Sequence, residues 1–259
     1  MDIGTGKDLD LYRAKNKNKK VKYHLIDVVN PMTEYNVGKW LKEARKVIAD
    51  ILKRGKLPIV AGGTGLYIQS LVDGYQLPAQ ADKKLRSRLN KLTLNQLLNQ
   101  LRKLDKKTYQ SIDQKNRRRV QRAVEVCLTA KSPLSEQRNK RKSEYKFLQL
   151  GLTWPKEVLD QRISKRLKER LERENLIGEA KRLKKQGVTY KRMESFGLEY
   201  RWLSRYLKKE IDYTTMAERL SKDIQHFAKR QMTWFKRDKR IKWIKGYQEA
   251  RRLVEKFKK

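Results

Sequence analysis

Gly62-Gly63-Thr64 are the residues of this chain whose types and spacing best suit chemistry. They follow the apolar run Leu57-Pro58-Ile59-Val60-Ala61 and lead into Gly65-Leu66-Tyr67. That order reads as a buried strand ending in a tight turn that opens a helix. In an α/β sheet, ligands bind at such strand ends. Glycines let backbone approach a ligand closely, and a threonine hydroxyl beside the N–H groups of a helix start suits a phosphate or a developing negative charge. A plain strand-to-helix turn with Thr64 as N-cap fits the same residues. Gly4-Thr5-Gly6-Lys7 looks like the end of a phosphate loop, but no first glycine stands at the required spacing. A preceding strand and a Ser or Thr after the lysine are missing too, so it is not read as a nucleotide site.

Three basic constellations follow. Arg162, Arg166 and Arg170 stand four apart on one helix, where guanidinium groups can grip phosphate or simply face water. Arg117-Arg118-Arg119-Val120-Gln121-Arg122 begins a helix that also carries Ala123, Val126 and Cys127. One face of it packs and the other projects charge. Its arginines suit nucleic-acid phosphates and Gln121 a base edge, or the face is merely solvated. Glu125, a lone acid on that helix, is expected to orient an arginine. Lys229-Arg230-Gln231-Met232-Thr233-Trp234-Phe235-Lys236-Arg237 interleaves aromatics with cations. Trp234 reads as core, with Lys229 and Arg230 exposed to solvent or RNA. His24 and His226 offer no metal-ligand spacing, and Cys127 reads as a buried packing residue.

Several elements must position these groups. Strands are expected over Tyr23–Val28 and 57–61, joined by an amphipathic helix from Asn36 to Arg54 whose Trp40, Leu41, Ala44, Val47, Ile48 and Ile51 recur at three- and four-residue spacing. That is a βαβ unit and predicts a parallel sheet. Residues 64–71 begin a helix. Basic helices are expected at Lys83–Leu89, Leu92–Leu104, Thr108–Ile112 and Arg117–Ala130, with a charged loop over Lys131–Ser143. Strand character returns at Tyr145–Leu150. A helix begins near Lys156, and Gly187 marks a break. Arg201–Tyr206, Tyr213–Lys236, a short strand Ile241–Ile244 and a final basic helix complete the chain.

The 259 residues carry 66 Lys and Arg against 29 Asp and Glu, a formal net charge of +37. Charge this dense favours a polyanion, either nucleic acid or an anionic membrane surface, unless the host makes all its proteins lysine-rich. No stretch approaches the ~20 apolar residues of a membrane span, and no apolar signal region follows Met1. The expected location is the cytoplasm.

In chain order the segments resemble one family, the tRNA dimethylallyltransferases, also called tRNA isopentenyltransferases. Met1-Asp2-Ile3-Gly4-Thr5 is similar to its MDIGT segment, and His24-Leu25-Ile26-Asp27 to its histidine-leucine-aspartate strand. Val60-Ala61-Gly62-Gly63-Thr64-Gly65-Leu66-Tyr67 resembles its GGT-x-LY turn. Arg119 to Val126 looks like its R-x-x-RALEV helix, and Lys229-Arg230-Gln231-x-Thr233-Trp234 like its KRQ-x-TW signature.

The resemblance implies transfer of a dimethylallyl group from its diphosphate to N6 of the adenosine 3′ of the anticodon, in tRNAs reading codons that begin with U. The adenine is flipped out to meet the donor. Mg²⁺ and a phosphate loop hold the diphosphate. Thr64, with Gly62 and Gly63, would line that site, and Arg166 in Gln161-Arg162-Ile163-Ser164-Lys165-Arg166 matches the diphosphate-binding arginine. Arg86, Arg118, Arg119, Val120, Gln121 and Arg122 match tRNA-contacting positions, and Gly197, Arg201, Lys229 and Arg230 are further candidates for RNA contact. The implied fold is a P-loop NTPase-like parallel sheet lacking its first strand, with a core over 1–81 and 112–259. A helical insertion at 82–111 would clasp the anticodon stem-loop. The implied state is a monomer. In the family the phosphate loop and the general-base aspartate lie before the MDIGT segment, so the expectation for the chain as it stands is an inactive and poorly folded protein, with a truncated, non-catalytic tRNA-binding protein as the alternative. At Glu194-Ser195-Phe196-Gly197-Leu198-Glu199, Leu198 and Glu199 replace the family's tyrosine and basic residue. An adenylate transferase, or a basic structural protein without a reaction, are the competing readings; the basic helices and the KRQ-x-TW signature favour prenyl transfer.

Overall fold

The computed structural model describes residues 22–76, 83–137 and 143–258. The MDIGT segment and the expected loop over 1–20 lie outside these. The chain divides into two compact units, Met1–Ile68 with Phe147–Lys259, and Gln69–Lys146. The described residues are mostly helical, with one two-stranded sheet.

Helix α1, Val37–Lys53, forms where the periodicity predicts it. The Asn36 side chain accepts from Gly38 N at 2.9 Å and Lys39 N at 3.1 Å, and Gly55, at φ 65°, follows its end. Trp40, Leu41, Ala44 and Ile48 are its buried face. Trp40 meets Tyr67 of α2, Gly65–Val72, with ring centroids 5.0 Å apart.

The two strands expected beside α1 are not there. A strand exists through a ladder to a neighbour, and among the described residues neither Tyr23–Val28 nor 57–61 has one. Leu25 and Asp27 instead turn into the left-handed region, at φ 59° and 54°, which breaks extension. Leu57, Ile59 and Val60 are exposed rather than buried, Ile59 at 84 %. The segment before α1 is fastened instead by Arg192, which donates to Pro31 O at 2.9 Å and Thr33 O at 2.8 Å.

The second unit contains α3, Lys83–Asn90, α4, Leu94–Leu104, α5, Lys106–Ser111, α6, Arg117–Ala130, and α7, Leu134–Gln137. A capping box of Thr93 and Gln96 starts α4. Leu89, Leu97, Leu101, Val120, Val124 and Cys127 make its core. Asp105 fastens α5 to α7. It accepts from Thr108 N at 2.8 Å, Thr108 Oγ1 at 2.6 Å, Ser135 N at 2.8 Å and Ser135 Oγ at 3.0 Å. The helix α7 stands where a loop is expected from 131 onward.

Back in the first unit, β1, Leu150–Leu152, begins where the expected strand Tyr145–Leu150 was to end. It runs parallel to β2, Lys242–Ile244, with Leu150 opposite Lys242 and Leu152 opposite Ile244. Between these strands stand α8, Lys156–Glu172, α9, Leu176–Lys185, α10, Tyr190–Phe196, α11, Leu198–Leu207, and α12, Tyr213–Phe235; α13, Tyr247–Lys258, follows. Leu176, Ala180, Met193, Leu203, Met216 and Leu220 are the core of α9 to α12. Thr189 caps α10 at Arg192 N, and Asp212 caps α12 at Thr215 N. The sequence reading did not mark α9 and α10 as helices, although Asn175 and Thr189 are ordinary cap residues.

Candidate functional site

In the first unit, two segments that are distant in sequence meet at the glycine turn. The Gln231 side chain of α12 donates from Nε2 to the Gly63 carbonyl at 2.8 Å. A Cβ built on Gly63 would fall 2.1 Å from Gln231 Nε2, and one on Gly65 would fall 2.4 Å from the Trp234 ring. At Gly65 only glycine lets the Trp234 ring come this close, and at Gly63 the absent Cβ leaves room for the Gln231 amide. Thr64, between them, is exposed, and its carbonyl starts α2 by accepting from Tyr67 N at 2.9 Å. Gly62 has open space around it. Trp234 is half-buried, and it packs as expected, against the glycine turn. Sequence reasoning did not assign Gln231 a role. The signal was there: glycines two apart, and a glutamine and a tryptophan three apart on a helix face.

The arginine stripe of α8 is not one surface. Arg170 has a side chain only 6 % exposed and is engaged by acids: Nη1 donates to Glu199 at 2.8 Å, with Glu174 at 3.6 Å and Glu179 at 4.0 Å. Glu179 also accepts from the Tyr200 hydroxyl. Arg170 is therefore corrected from a phosphate-gripping residue to a structural one. Arg162 stacks over Trp154, 4.7 Å from the ring centroid, and Arg166 is exposed. The acid at 199, which departs from the family pattern, is the partner of Arg170.

Gly197 ends α10 and precedes α11 at φ 79°, a left-handed conformation that glycine adopts without strain; no neighbour lies within 4 Å of an added Cβ. Arg201 pairs with Asp223 at 3.7 Å, and Asp223 also accepts from Trp202 Nε1 at 2.9 Å. Lys229 and Arg230 are exposed on α12, with Arg230 over the Phe227 ring at 5.9 Å.

In the second unit the basic helix α6 behaves as two faces. Asn116 caps it at Arg119 N. Val120 is fully buried, so its side chain is core and is corrected as a candidate for RNA contact. Arg118 and Arg119 are exposed. Gln121 donates to Asn90 Oδ1 at 2.7 Å and Arg117 to Asn90 O at 3.0 Å, which anchors the helix start to the end of α3. Glu125 is 3 % exposed and receives Arg86 at 3.0 and 3.3 Å and Arg122 at 3.1 Å. Burial pushes its carboxyl up, but the hydrogen bonds from Arg86 and Arg122 outweigh that and hold it below the usual carboxylate range. Cys127 is buried, and burial pushes its thiol up, as suits a packing residue.

Among the described residues, no group of three His, Cys, Asp or Glu side chains could hold a metal ion. No helix among them is long and apolar enough to cross a membrane.

Comparison with known proteins gives one answer. A family model described as IPP transferase matches residues 1–238. The tRNA dimethylallyltransferase 1 of Syntrophus aciditrophicus (strain SB) is 39% identical over 254 residues, covering 95% of this chain and 81% of the relative. Among solved structures, the tRNA delta(2)-isopentenylpyrophosphate transferase of Staphylococcus epidermidis superposes with a TM-score of 0.62 at 32% identity, covering 95% of this chain and 82% of that one. The full-length tRNA isopentenylpyrophosphate transferase of Bacillus halodurans gives a TM-score of 0.65 at 28% identity, covering 97% and 82%.

Proposed function

The chain belongs to the IPP transferase family, and we propose that it is a tRNA dimethylallyltransferase. In this reading the C–O bond between the dimethylallyl group and its diphosphate breaks, and the diphosphate leaves with the electron pair. A C–N bond forms to N6 of the adenosine 3′ of the anticodon, and N6 gives up a proton to a base. The observation that carries the reading is the meeting of the two signatures, Gly63 with Gln231 and Gly65 with Trp234. It supports Gly62-Gly63-Thr64 as a built turn, kept by α12, rather than a chance run of glycines.

The roles follow from the groups. The Thr64 hydroxyl and the Arg166 guanidinium are donors suited to a diphosphate, and in this reading both stabilise the leaving group as its charge grows. Gly62 and Gly63 leave backbone room for it. In this reading Arg86, Arg118, Arg119 and Arg122 supply phosphate contacts for the anticodon stem-loop, Gln121 a base-edge contact, Gly197 close approach, and Arg201, Lys229 and Arg230 further positive charge. The +37 net charge supports nucleic acid as the partner. The finer architecture, a P-loop NTPase-like sheet with a helical insertion over 82–111, belongs to the same reading, as do a monomeric state and a cytoplasmic location. Mg²⁺ would accompany the diphosphate. Among the described residues no group of three His, Cys, Asp or Glu side chains is placed to hold it.

The test is incubation of the purified chain with dimethylallyl diphosphate, Mg²⁺ and a tRNA reading a codon that begins with U. Nucleosides from the digested tRNA are then analysed by mass spectrometry. A mass gain of one dimethylallyl group on the adenosine 3′ of the anticodon supports the transferase reading. Binding of that tRNA without any product would overturn it in favour of a tRNA-binding protein without the reaction.

A further inference from the structure

The peptide joining Gly63 to Thr64 has its orientation set from outside the turn. Among the described residues all peptide bonds are trans. In a trans peptide the carbonyl of one residue and the N–H of the next point in opposite directions. Gln231 Nε2 holds the Gly63 carbonyl at 2.8 Å. The Thr64 N–H therefore points away from α12, on the side opposite Gln231. Without that hydrogen bond, Gly63, which has no Cβ, leaves this peptide plane freer to rotate than one between two substituted residues. The Trp234 ring, against which a Gly65 Cβ would lie at 2.4 Å, fixes the next residue along. Two side chains three apart on α12 thus clamp the residues on either side of Thr64.

We propose that Gln231 is a positioning residue for the anion site at Gly62-Gly63-Thr64: its amide locks the Gly63 carbonyl away from the ligand and so presents the Thr64 N–H and hydroxyl to a diphosphate. The inference rests on the reading of that turn as the diphosphate site. Gln231 does not touch the diphosphate. It acts through the turn, and its contribution is to remove an alternative peptide orientation that would aim a carbonyl oxygen at an anion.

The experiment is calorimetric titration of the chain with inorganic diphosphate in the presence of Mg²⁺. It compares the unchanged protein, Gln231→Met, Thr64→Ala and the double variant, with the thermal midpoint of each recorded. Methionine keeps the length of glutamine and removes the donor. The expected result is binding weakened about 5-fold by Gln231→Met, the scale of one hydrogen bond, with the midpoint lowered only by the few degrees that the loss of one hydrogen bond, about 1 kcal/mol, brings. In the Thr64→Ala background, where the N–H remains but the hydroxyl is gone, the same substitution is expected to weaken binding by a smaller factor, about 2-fold, because the hydroxyl's share is already lost. A residue that merely supports the fold would weaken binding equally in both backgrounds. Full weakening by Gln231→Met beside Thr64→Ala, or none beside Thr64, overturns the proposal while leaving the diphosphate reading intact. Failure of the unchanged protein to bind diphosphate overturns the reading itself. Should Gln231→Met not fold, Gln231→Asn, which retains the amide on a shorter stem, is put through the same cycle with the same two outcomes.

Discussion

Glu125 accepts the Arg86 guanidinium on both of its oxygens, at 3.0 and 3.3 Å, from a position that is itself only 3 % exposed. An acid on the buried face of α6 thereby fixes the direction of an arginine on α3. Arg122 joins the same carboxylate at 3.1 Å. In a chain with 66 Lys and Arg against 29 Asp and Glu, an acid committed to two cations lowers the net charge, and it returns geometry: two arginines held still beside exposed Arg118 and Arg119.

Replacing the acid tests that geometry. Glu125→Gln leaves two guanidinium groups that are 45 % and 40 % exposed, so water compensates part of the loss. The expected cost is about 1–2 kcal/mol of stability in the second unit, from the charge-assisted hydrogen bonds removed at a buried position. Chemical denaturation followed by circular dichroism measures it. A loss under about 0.3 kcal/mol would mean that the pairing orients the arginines without contributing to stability.

The exposed arginines make a different prediction. Arg118→Ala and Arg119→Ala are expected to leave the unfolding midpoint unchanged, since neither side chain is in the core. Each should lower the slope of log affinity against log salt by about 1 for an anticodon stem-loop RNA, because each removes one cation from an RNA phosphate. Val120→Ala should do the reverse. It removes methyl groups at a fully buried position and costs about 1–3 kcal/mol of stability with no change in salt slope. A changed slope with Val120→Ala, or an unchanged one with both arginine variants, would remove α6 from the RNA surface.

These contrasts show where the sequence was sufficient. The α1 and α6 boundaries were legible because everything that makes a helix is local: Asn36 and Asn116 as caps, and apolar residues at three- and four-residue spacing. The strands at Tyr23–Val28 and 57–61 were not, because a strand is decided by its neighbour and the apolar run of 57–61 carries no information about whether that neighbour is present. The glycine turn was recognisable as a candidate site. Its partner was not, because Gln231 lies 168 residues from Gly63 and a glutamine on an amphipathic helix has many possible uses. Arg162, Arg166 and Arg170 were indistinguishable by spacing; the acids that set Arg170 apart come from α9, α11 and the connection just after α8.

Asp105 makes acid stability a local question. Burial pushes its carboxyl up, but the hydrogen bonds from Thr108 and then Ser135 prevail and bring it to about 2, from an ordinary value of 3.8. The folded state therefore binds this proton less readily than the unfolded state. The stabilisation is fully present above about pH 4 and is lost as pH falls through 4 towards 2, a total of about 2 kcal/mol. Asp105→Asn should remove that dependence, giving a second unit that is less stable at neutral pH and whose stability falls less between pH 4 and 2. Unfolding free energies measured across that range check it. Parallel curves for the two proteins would show that Asp105 titrates normally.

Gly63 and Gly65 face the same helix but should respond differently to one methyl group. At Gly65 the added carbon meets the rigid Trp234 ring at 2.4 Å, with two more ring atoms within 2.6 Å. Nothing there yields without moving the tryptophan, so Gly65→Ala is expected to cost about 1–3 kcal/mol by overpacking. The helix propensity gained by alanine is at most about 1 kcal/mol, and less at the first residue of α2, so it does not reverse the sign. At Gly63 the obstacle is the far end of a flexible glutamine, which can swing aside. Gly63→Ala should therefore cost only the Gln231 hydrogen bond, about 1 kcal/mol, partly offset by the lower entropy of the unfolded chain. Its effect should appear instead in diphosphate binding, and adding Gln231→Met should weaken that binding no further. Thermal melts rank the two alanine variants. Gly63→Ala proving the less stable of the pair would mean that the turn and α12 are held together at Gln231 rather than at Trp234.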